Sequence, residues 1–174
     1  MRPRGLMAQP TGSRMKFYPL MFTFRDVVSG NGFLAGITIS GRALMVYEDE
    51  VWWAYGVRPG ALAESGASPQ EGFLRFRNRY REVLFDVAAE SKDFQAFKTE
   101  VERFYFEPDH EEETRWADAM QAIRSGDAAP DAPFSSLPRE TPESRPSQVT
   151  VERLDISARF TASDNIPDLM IAAA

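Results

Sequence analysis

Apolar and polar residues alternate along the first third of the chain, in a pattern typical of short β-strands. Four mainly apolar runs follow one another after Lys16: FYPLMFTFRDVV, FLAGITIS, RALMVY and VWWAYGV. The turn-forming stretches SGNG, Ser40-Gly41 and Glu48-Asp49-Glu50 separate them. Tight connections between such runs favour antiparallel neighbours. The pattern predicts an antiparallel β-meander of about four strands.

Helical periodicity replaces this alternation after Ser68. In the stretch SPQE, Ser68 suits the N-cap, Pro69 the first helical position and Glu71 the third position of a capping box. Apolar residues then recur at helical spacing at Phe73, Phe76, Tyr80, Val83, Leu84 and Val87. A second amphipathic run, SKDFQAFKTEVERFYF, follows. The predicted fold class is α+β, with the meander packed by one or two helices.

Composition changes beyond Pro108. The stretch DHEEETRWADAMQAIRSG fits one further helix, five prolines then fall between 127 and 147, and QVTVERLDISARF regains alternation. We divide the chain into a disordered leader (1–15), an α+β core domain (16–108), an additional helix (109–126), a Pro-rich linker (127–148), a late strand (149–162) and a tail (163–174). The late strand is expected to pair with an open sheet edge of its own chain or of a neighbouring copy.

Charge and composition narrow the classes of function. The 174 residues are 43% hydrophobic, which suits one core, and the formal net charge is −6. This negative charge argues against nucleic-acid and membrane-surface partners, which usually meet positive charge. The absence of cysteine excludes disulfides and thiolate metal sites. With no membrane-spanning run or signal-like segment, a cytoplasmic protein without a cofactor or membrane partner is expected.

Two adjacent tryptophans lie on the fourth run. Successive side chains of a strand point to opposite faces, so Trp52 and Trp53 cannot both face the same layer. We expect one in the core and the other in an interface with a partner. Val149, Val151 and Ile156 of the late strand complete the predicted interface, and the protein is expected to form a homo-oligomer through strand edges.

Four arginines of the first helix supply an alternative function. Arg75, Arg77, Arg79 and Arg81, here called the arginine row, mostly fall outside the apolar stripe. A nucleic-acid-binding protein would need them on one continuous surface free of carboxylates. The negative net charge weighs against this alternative.

A carboxylate- or metal-dependent hydrolase is the other alternative. Glu48, Asp49 and Glu50 could hold a divalent ion, and His110, the single histidine, stands among acidic residues. However, consecutive residues point in different directions, and the sequence has neither a phosphate-binding loop nor a G-x-S-x-G stretch. We therefore predict a protein that is not an enzyme, with no catalytic or metal-binding residues.

Residues 42–90 resemble the small domain of HicB-like antitoxins. The resemblance is carried by the hairpin RALMVYEDEVWWAYGV, by Pro59-Gly60, and by Gly66, Ser68 and Glu71 around the helix start. Val57-Arg58 stands where that family has an acidic-apolar pair. The resemblance implies a non-catalytic interaction module that binds and masks a small basic toxin-like ribonuclease. No DNA-binding module of that family is recognisable, so a transcriptional role is not implied.

Overall fold

A long hairpin forms the centre of the sheet in the computed structural model, which describes residues 16–155 and 169–172. Strand β1 (Lys16–Gly30) pairs antiparallel with β2 (Phe33–Glu48), from Lys16 opposite Tyr47 to Gly30 opposite Phe33. Only Asn31 and Gly32 connect the two strands, and Gly32 has a φ of 74°. Glycine adopts this conformation without steric cost, which allows the tight connection.

The remaining strands attach to both edges of this hairpin. Beyond β2 lie β3 (Val51–Arg58) and β4 (Ala63–Gly66), and beyond β1 lie β7 (Leu169–Ala172) and β5 (Arg139–Glu140). Among the described strands, β5 and β7 are the one pair that runs parallel. Strand β6 (Gln148–Arg153) pairs with the first half of β2, while β3 pairs with its second half.

Helices cover both faces of the sheet. Helices α1 (Pro69–Glu90) and α2 (Phe94–Phe106) pack on one face, and α3 (His110–Arg124) packs on the other. Along β1, Leu20 and Phe22 belong to the core beneath α1 and α2, whereas Met21 belongs to the core beneath α3. Strand alternation therefore divides the apolar residues between two cores. Among the described residues, no helix is long and apolar enough to cross a membrane.

The predicted α+β class, the meander β1–β2–β3–β4 and the late strand β6 are confirmed. The predicted turn at Ser40-Gly41 is wrong, because β2 continues through both residues. Gly41 instead permits close contact: a Cβ there would lie 2.5 Å from the Phe22 ring and 2.6 Å from the Arg58 carbonyl oxygen. The two middle predicted runs, FLAGITIS and RALMVY, form the single strand β2. The fourth strand of the meander is therefore β4.

Helix α1 begins where the sequence predicts. The Ser68 hydroxyl accepts a hydrogen bond from the Glu71 N–H at 3.1 Å, and the Glu71 carboxylate accepts one from the Ala67 N–H at 2.9 Å. The first bond satisfies a backbone donor that the helix itself leaves unpaired, and the second satisfies the N–H of the residue before the N-cap. Gly66 is required beside this helix start, since a Cβ there would lie 2.4 Å from the Gly72 nitrogen.

The Pro-rich segment packs on the protein body and does not run as a free linker. It contains a short 3-10 helix, Phe134–Ser136, and the side chain of Phe134 is only 2% exposed. The predicted tail also contributes structure, because β7 pairs with β1. The predicted leader (1–15) lies outside the described residues.

The turn between β2 and β3 provides a test of backbone strain. Asp49 and Glu50 both have positive φ, at 49° and 64°, although neither is glycine. We expect Glu50→Gly to raise the free energy of unfolding by about 0.5–1 kcal/mol, because relief of the left-handed conformation outweighs the added chain entropy. Chemical denaturation measures the change. Glu152→Gly, on exposed extended backbone in β6, is the control and should lower stability; a loss at both positions contradicts the interpretation.

Candidate functional site

A cavity of about 500 Å³ opens beside α1 and is called the α1 cavity here. Three parts of the chain enclose it: the central hairpin, the outer side of α1, and residues 133–137. Its lining comprises Leu20, Phe24, Met45, Pro69, Gln70, Phe73, Leu74, Arg77, Asn78, Arg81, Pro133, Phe134 and Leu137. The volume lies in the range of small-molecule sites.

The floor of the α1 cavity is apolar because the hairpin and α1 turn their core-facing residues toward it. Leu20, Phe24 and Met45 come from the hairpin, and each is at least nine-tenths buried. Phe73 belongs to the inward stripe of α1. Leu74, one residue further along the helix, is 58% exposed and lines the mouth. The cavity therefore passes from a buried apolar floor to an accessible rim.

Residues 133–137 form the third wall, and Asp131, two residues before them, fastens this wall to β1. The Asp131 carboxylate accepts hydrogen bonds from the Tyr18 hydroxyl and the Lys16 ammonium, both at 2.5 Å. Phe134 stacks on the Tyr18 ring with centroids 4.0 Å apart. One tyrosine thus holds the wall through both its ring and its hydroxyl.

These contacts change the acidity of the groups involved. Hydrogen bonds from Lys16 and then Tyr18 lower the pKa of Asp131, whereas burial and the bond to Asp131 raise the pKa of Tyr18. Both shifts further favour an ionised Asp131 and a protonated Tyr18. This pair of protonation states keeps the hydrogen bond in place.

Two cations stand at the rim of the α1 cavity. Arg77 lies over the Phe24 ring, 5.6 Å from its centroid, and its Nη1 donates to the Thr23 carbonyl at 3.5 Å. Arg81 donates from Nε to the Asp26 carboxylate at 2.5 Å. Both arginines are therefore positioned against β1. The described lining contains no Asp or Glu.

The other members of the arginine row point to carboxylates on their own helix. Arg75 pairs with Glu71 at 2.6 Å, and Arg79 pairs with Glu82 at 2.9 Å. With Arg81 paired to Asp26, the row does not present the carboxylate-free surface that a nucleic-acid-binding protein needs. The structure instead separates the row, with Arg77 and Arg81 at the cavity.

Trp52 and Trp53 lie on opposite faces of the sheet, and each is partly buried. Trp52 packs beside Tyr18, Tyr47 and Phe134, with ring centroids 5.0–6.0 Å apart. Trp53 stacks on Tyr55 at 5.7 Å on the α3 side. The assignment of one tryptophan to an interface stays a prediction.

The late strand pairs within its own chain. Val149 and Val151 lie opposite Ile39 and Ile37 of β2, and Val151 is buried in the core. Ile156, the remaining predicted interface residue, lies outside the described residues. Self-association through strand edges stays a prediction.

The acidic candidates do not gather around a site. Glu48 ends β2, Asp49 and Glu50 form the exposed turn, and His110 begins α3 with its Nδ1 3.7 Å from the Glu113 carboxylate. Within residues 16–155 and 169–172, no group of three or more His, Cys, Asp or Glu residues is arranged to hold a metal ion.

A smaller cavity of about 270 Å³ lies on the opposite side of the sheet, between α3 and the segment around Pro142. Arg42 stacks over the Trp116 ring at 4.7 Å, and burial lowers the pKa of Arg42. Glu143 and Arg124 also line this cavity and pair at 3.4 Å. Its mixed charge and small size make it a weaker candidate site than the α1 cavity.

Sequence reasoning missed the third wall of the α1 cavity. Phe134 and Leu137 stand among prolines, and the composition of the segment indicated a linker. Two large apolar residues three positions apart were the available signal that the segment packs on the core. No family model, curated protein or solved structure matches this chain, so the site is interpreted from its own geometry.

The attachment of the third wall predicts a pH-dependent contribution to stability. Because the pKa of Asp131 is lowered from 3.8 in the folded protein, its carboxylate stabilises the fold above that value, and this stability is lost as pH falls through the lower folded pKa. We expect Asp131→Asn to lower the melting temperature at pH 7, with a loss of less than about 1 kcal/mol in the free energy of unfolding because the pair is half exposed. The deficit should shrink as pH falls below about 4.

Thermal unfolding followed by circular dichroism between pH 7 and pH 3 measures this deficit. Asp118→Asn, at an exposed position on α3, is the control and should show little change at any pH. A deficit for Asp131→Asn that stays constant down to pH 3 contradicts the ionic role of Asp131.

Proposed function

We propose that the protein is a non-catalytic binding protein whose ligand site is the α1 cavity. The observation that carries the proposal is the cavity itself, which combines a buried apolar floor with a few polar groups at the rim. Its described lining offers Gln70, Asn78, Arg77 and Arg81 as polar groups. None of these side chains exchanges a proton readily near neutral pH, which favours binding over acid–base catalysis.

Titration with the neutral fluorescent probe N-phenyl-1-naphthylamine tests this proposal. We expect saturable fluorescence enhancement that Leu74→Glu weakens about tenfold or more, because the variant places a charge at the apolar mouth. Phe85→Glu is the matched control, since Phe85 is also exposed on α1, at 45%, but does not line the cavity.

Circular dichroism should show that both variants keep the fold. Equal probe affinity in the unchanged protein and in Leu74→Glu would place the probe elsewhere and overturn the assignment of the site. Absence of saturable binding in the unchanged protein would also count against it.

A second proposal keeps the HicB-like interpretation, in which the chain masks a small basic protein. Support comes from the resemblance over residues 42–90, from the net charge of −6, and from exposed apolar side chains on α1 at Leu74 and Phe85. Opposite charges favour encounter between such partners. A cytoplasmic location and self-association through strand edges belong to this proposal as well.

Affinity capture from a nuclease-treated lysate tests the second proposal. We expect a stoichiometric small basic protein, identified by mass spectrometry, and a weaker yield with Trp53→Ala if Trp53 anchors the interface. Sedimentation at increasing protein concentration measures self-association. A parallel capture from untreated lysate is the comparison. If it yields nucleic acid and neither capture yields a protein partner, the result contradicts the proposal and favours nucleic-acid binding by the arginine row.

A further inference from the structure

A partly buried arginine on the α3 side of the sheet lines the smaller cavity. Arg42 lies on β2 at the point where the register between β2 and β3 shifts, and such irregularities redirect neighbouring side chains. Alternation along β2 places Arg42 on the same face as Leu44, beneath α3. Its guanidinium lies over the Trp116 ring, 4.7 Å from the ring centroid. This stack forms one wall of the cavity.

The carboxylates that act on Arg42 are paired with other arginines. Glu113 accepts from Nη2 of Arg58 at 2.6 Å, and Glu143 pairs with Nη2 of Arg124 at 3.4 Å. The Arg42 guanidinium itself forms no ion pair with any residue in 16–155 or 169–172. Burial lowers the pKa of Arg42, as expected for a cation that loses water without a carboxylate in contact. The positive charge of Arg42 is therefore left over at the cavity.

The same wall contains hydrogen-bond donors that the protein does not use. Nε of Arg42 and Nε1 of Trp116 are both buried without a hydrogen-bond partner, and Trp116 is only 7% exposed. Buried donors of this kind cost free energy and are uncommon in native structures. A guanidinium also carries terminal N–H donors in the same plane. The Arg42–Trp116 stack therefore suits a ligand that supplies acceptor oxygens.

The size and remaining walls of the cavity restrict that ligand. The volume is about 270 Å³, just below the usual range of small-molecule sites, so only a molecule of few atoms fits. Ala117, Met120 and Pro142 supply apolar walls beside the stack. A short apolar group that contacts them leaves water, which favours binding.

We propose that the cavity between α3 and the segment around Pro142 binds a small free monocarboxylate. Its carboxylate lies at the Arg42 guanidinium, and its short apolar group lies against Met120 and Pro142. A guanidinium binds a carboxylate through two parallel, charge-assisted hydrogen bonds. This site is on the opposite face of the sheet from the α1 cavity and does not depend on ligand binding there.

Titration of the full-length protein with hexanoate tests the proposal, followed by the indole N–H resonances of its three tryptophans in proton–nitrogen correlation spectra. Trp116→Phe identifies the Trp116 resonance. We expect this resonance to shift saturably, with a dissociation constant of about 1 mM or below, while the Trp52 resonance stays in place. Hexanamide, the uncharged isostere, should bind about tenfold more weakly, since only the carboxylate forms charge-assisted hydrogen bonds.

Two variants assign the carboxylate preference to the cavity. Arg42→Met should weaken hexanoate binding about tenfold, whereas Arg139→Met, which removes an exposed arginine outside the lining, should not. Glu143→Gln should tighten binding about two- to fivefold, because it removes a negative charge from the cavity and releases Arg124. Glu152→Gln, the same change at an exposed position outside the lining, is its control. Glu143 is itself exposed, so its variant tests the site even if Arg42→Met does not fold.

Each alternative result overturns a stated part of the inference. Absence of a saturable Trp116 shift overturns the site, and so does loss of the shift in Leu74→Glu, which would place hexanoate in the α1 cavity. Equal affinities for hexanoate and hexanamide overturn the role of Arg42. An equal response to inorganic phosphate overturns the preference for a carboxylate in favour of a general anion site.

Discussion

The register of the β1–β2 hairpin is the constraint on which the rest of the structure depends. Every other strand except β4 and β5 pairs directly with one of these two strands. Leu20 and Phe22 point toward α1, and Met21 points toward α3, so the hairpin has no polar face along its centre. A slip of one residue would exchange these faces and bring each helix opposite the wrong residues. Helices on both sides are thus a requirement of the hairpin itself.

The α1 cavity follows from the way α1 lies on this hairpin. The inward stripe of the helix, at Phe73, Phe76 and Tyr80, fills the core, and the neighbouring positions along its side stay uncovered by the sheet. Residues 133–137, which are distant from α1 in the sequence, close that side. Tyr18 connects β1 to this segment, because its ring stacks on Phe134 and its hydroxyl donates a hydrogen bond to Asp131. The cavity is therefore a product of tertiary packing more than of any local motif.

Features with local causes were predictable from the sequence, and features with distant causes were not. The start of α1 follows from Ser68, Pro69 and Glu71, which lie within one turn of each other. The strand through Ser40-Gly41 depends on pairing with β1, which outweighs the local turn signal of glycine. The salt bridge of Arg81 with Asp26 joins residues 55 positions apart, so no helix-spacing rule reveals it. Opposite faces for Trp52 and Trp53 required only the alternation of a strand.

The shared edge of β2 has a consequence for the order in which the protein folds. Strand β3 follows β2 immediately and covers its second half, whereas β6 arrives only after all three helices have been synthesised. Closure of so long a loop is slow, since chain entropy must be overcome before the new contacts form. Until then, Ile37 and Ile39 lie on a strand with unpaired backbone groups, the kind of edge that recruits other chains. The first half of β2 is therefore the last part of the central hairpin to be covered, and β6 completes the sheet there.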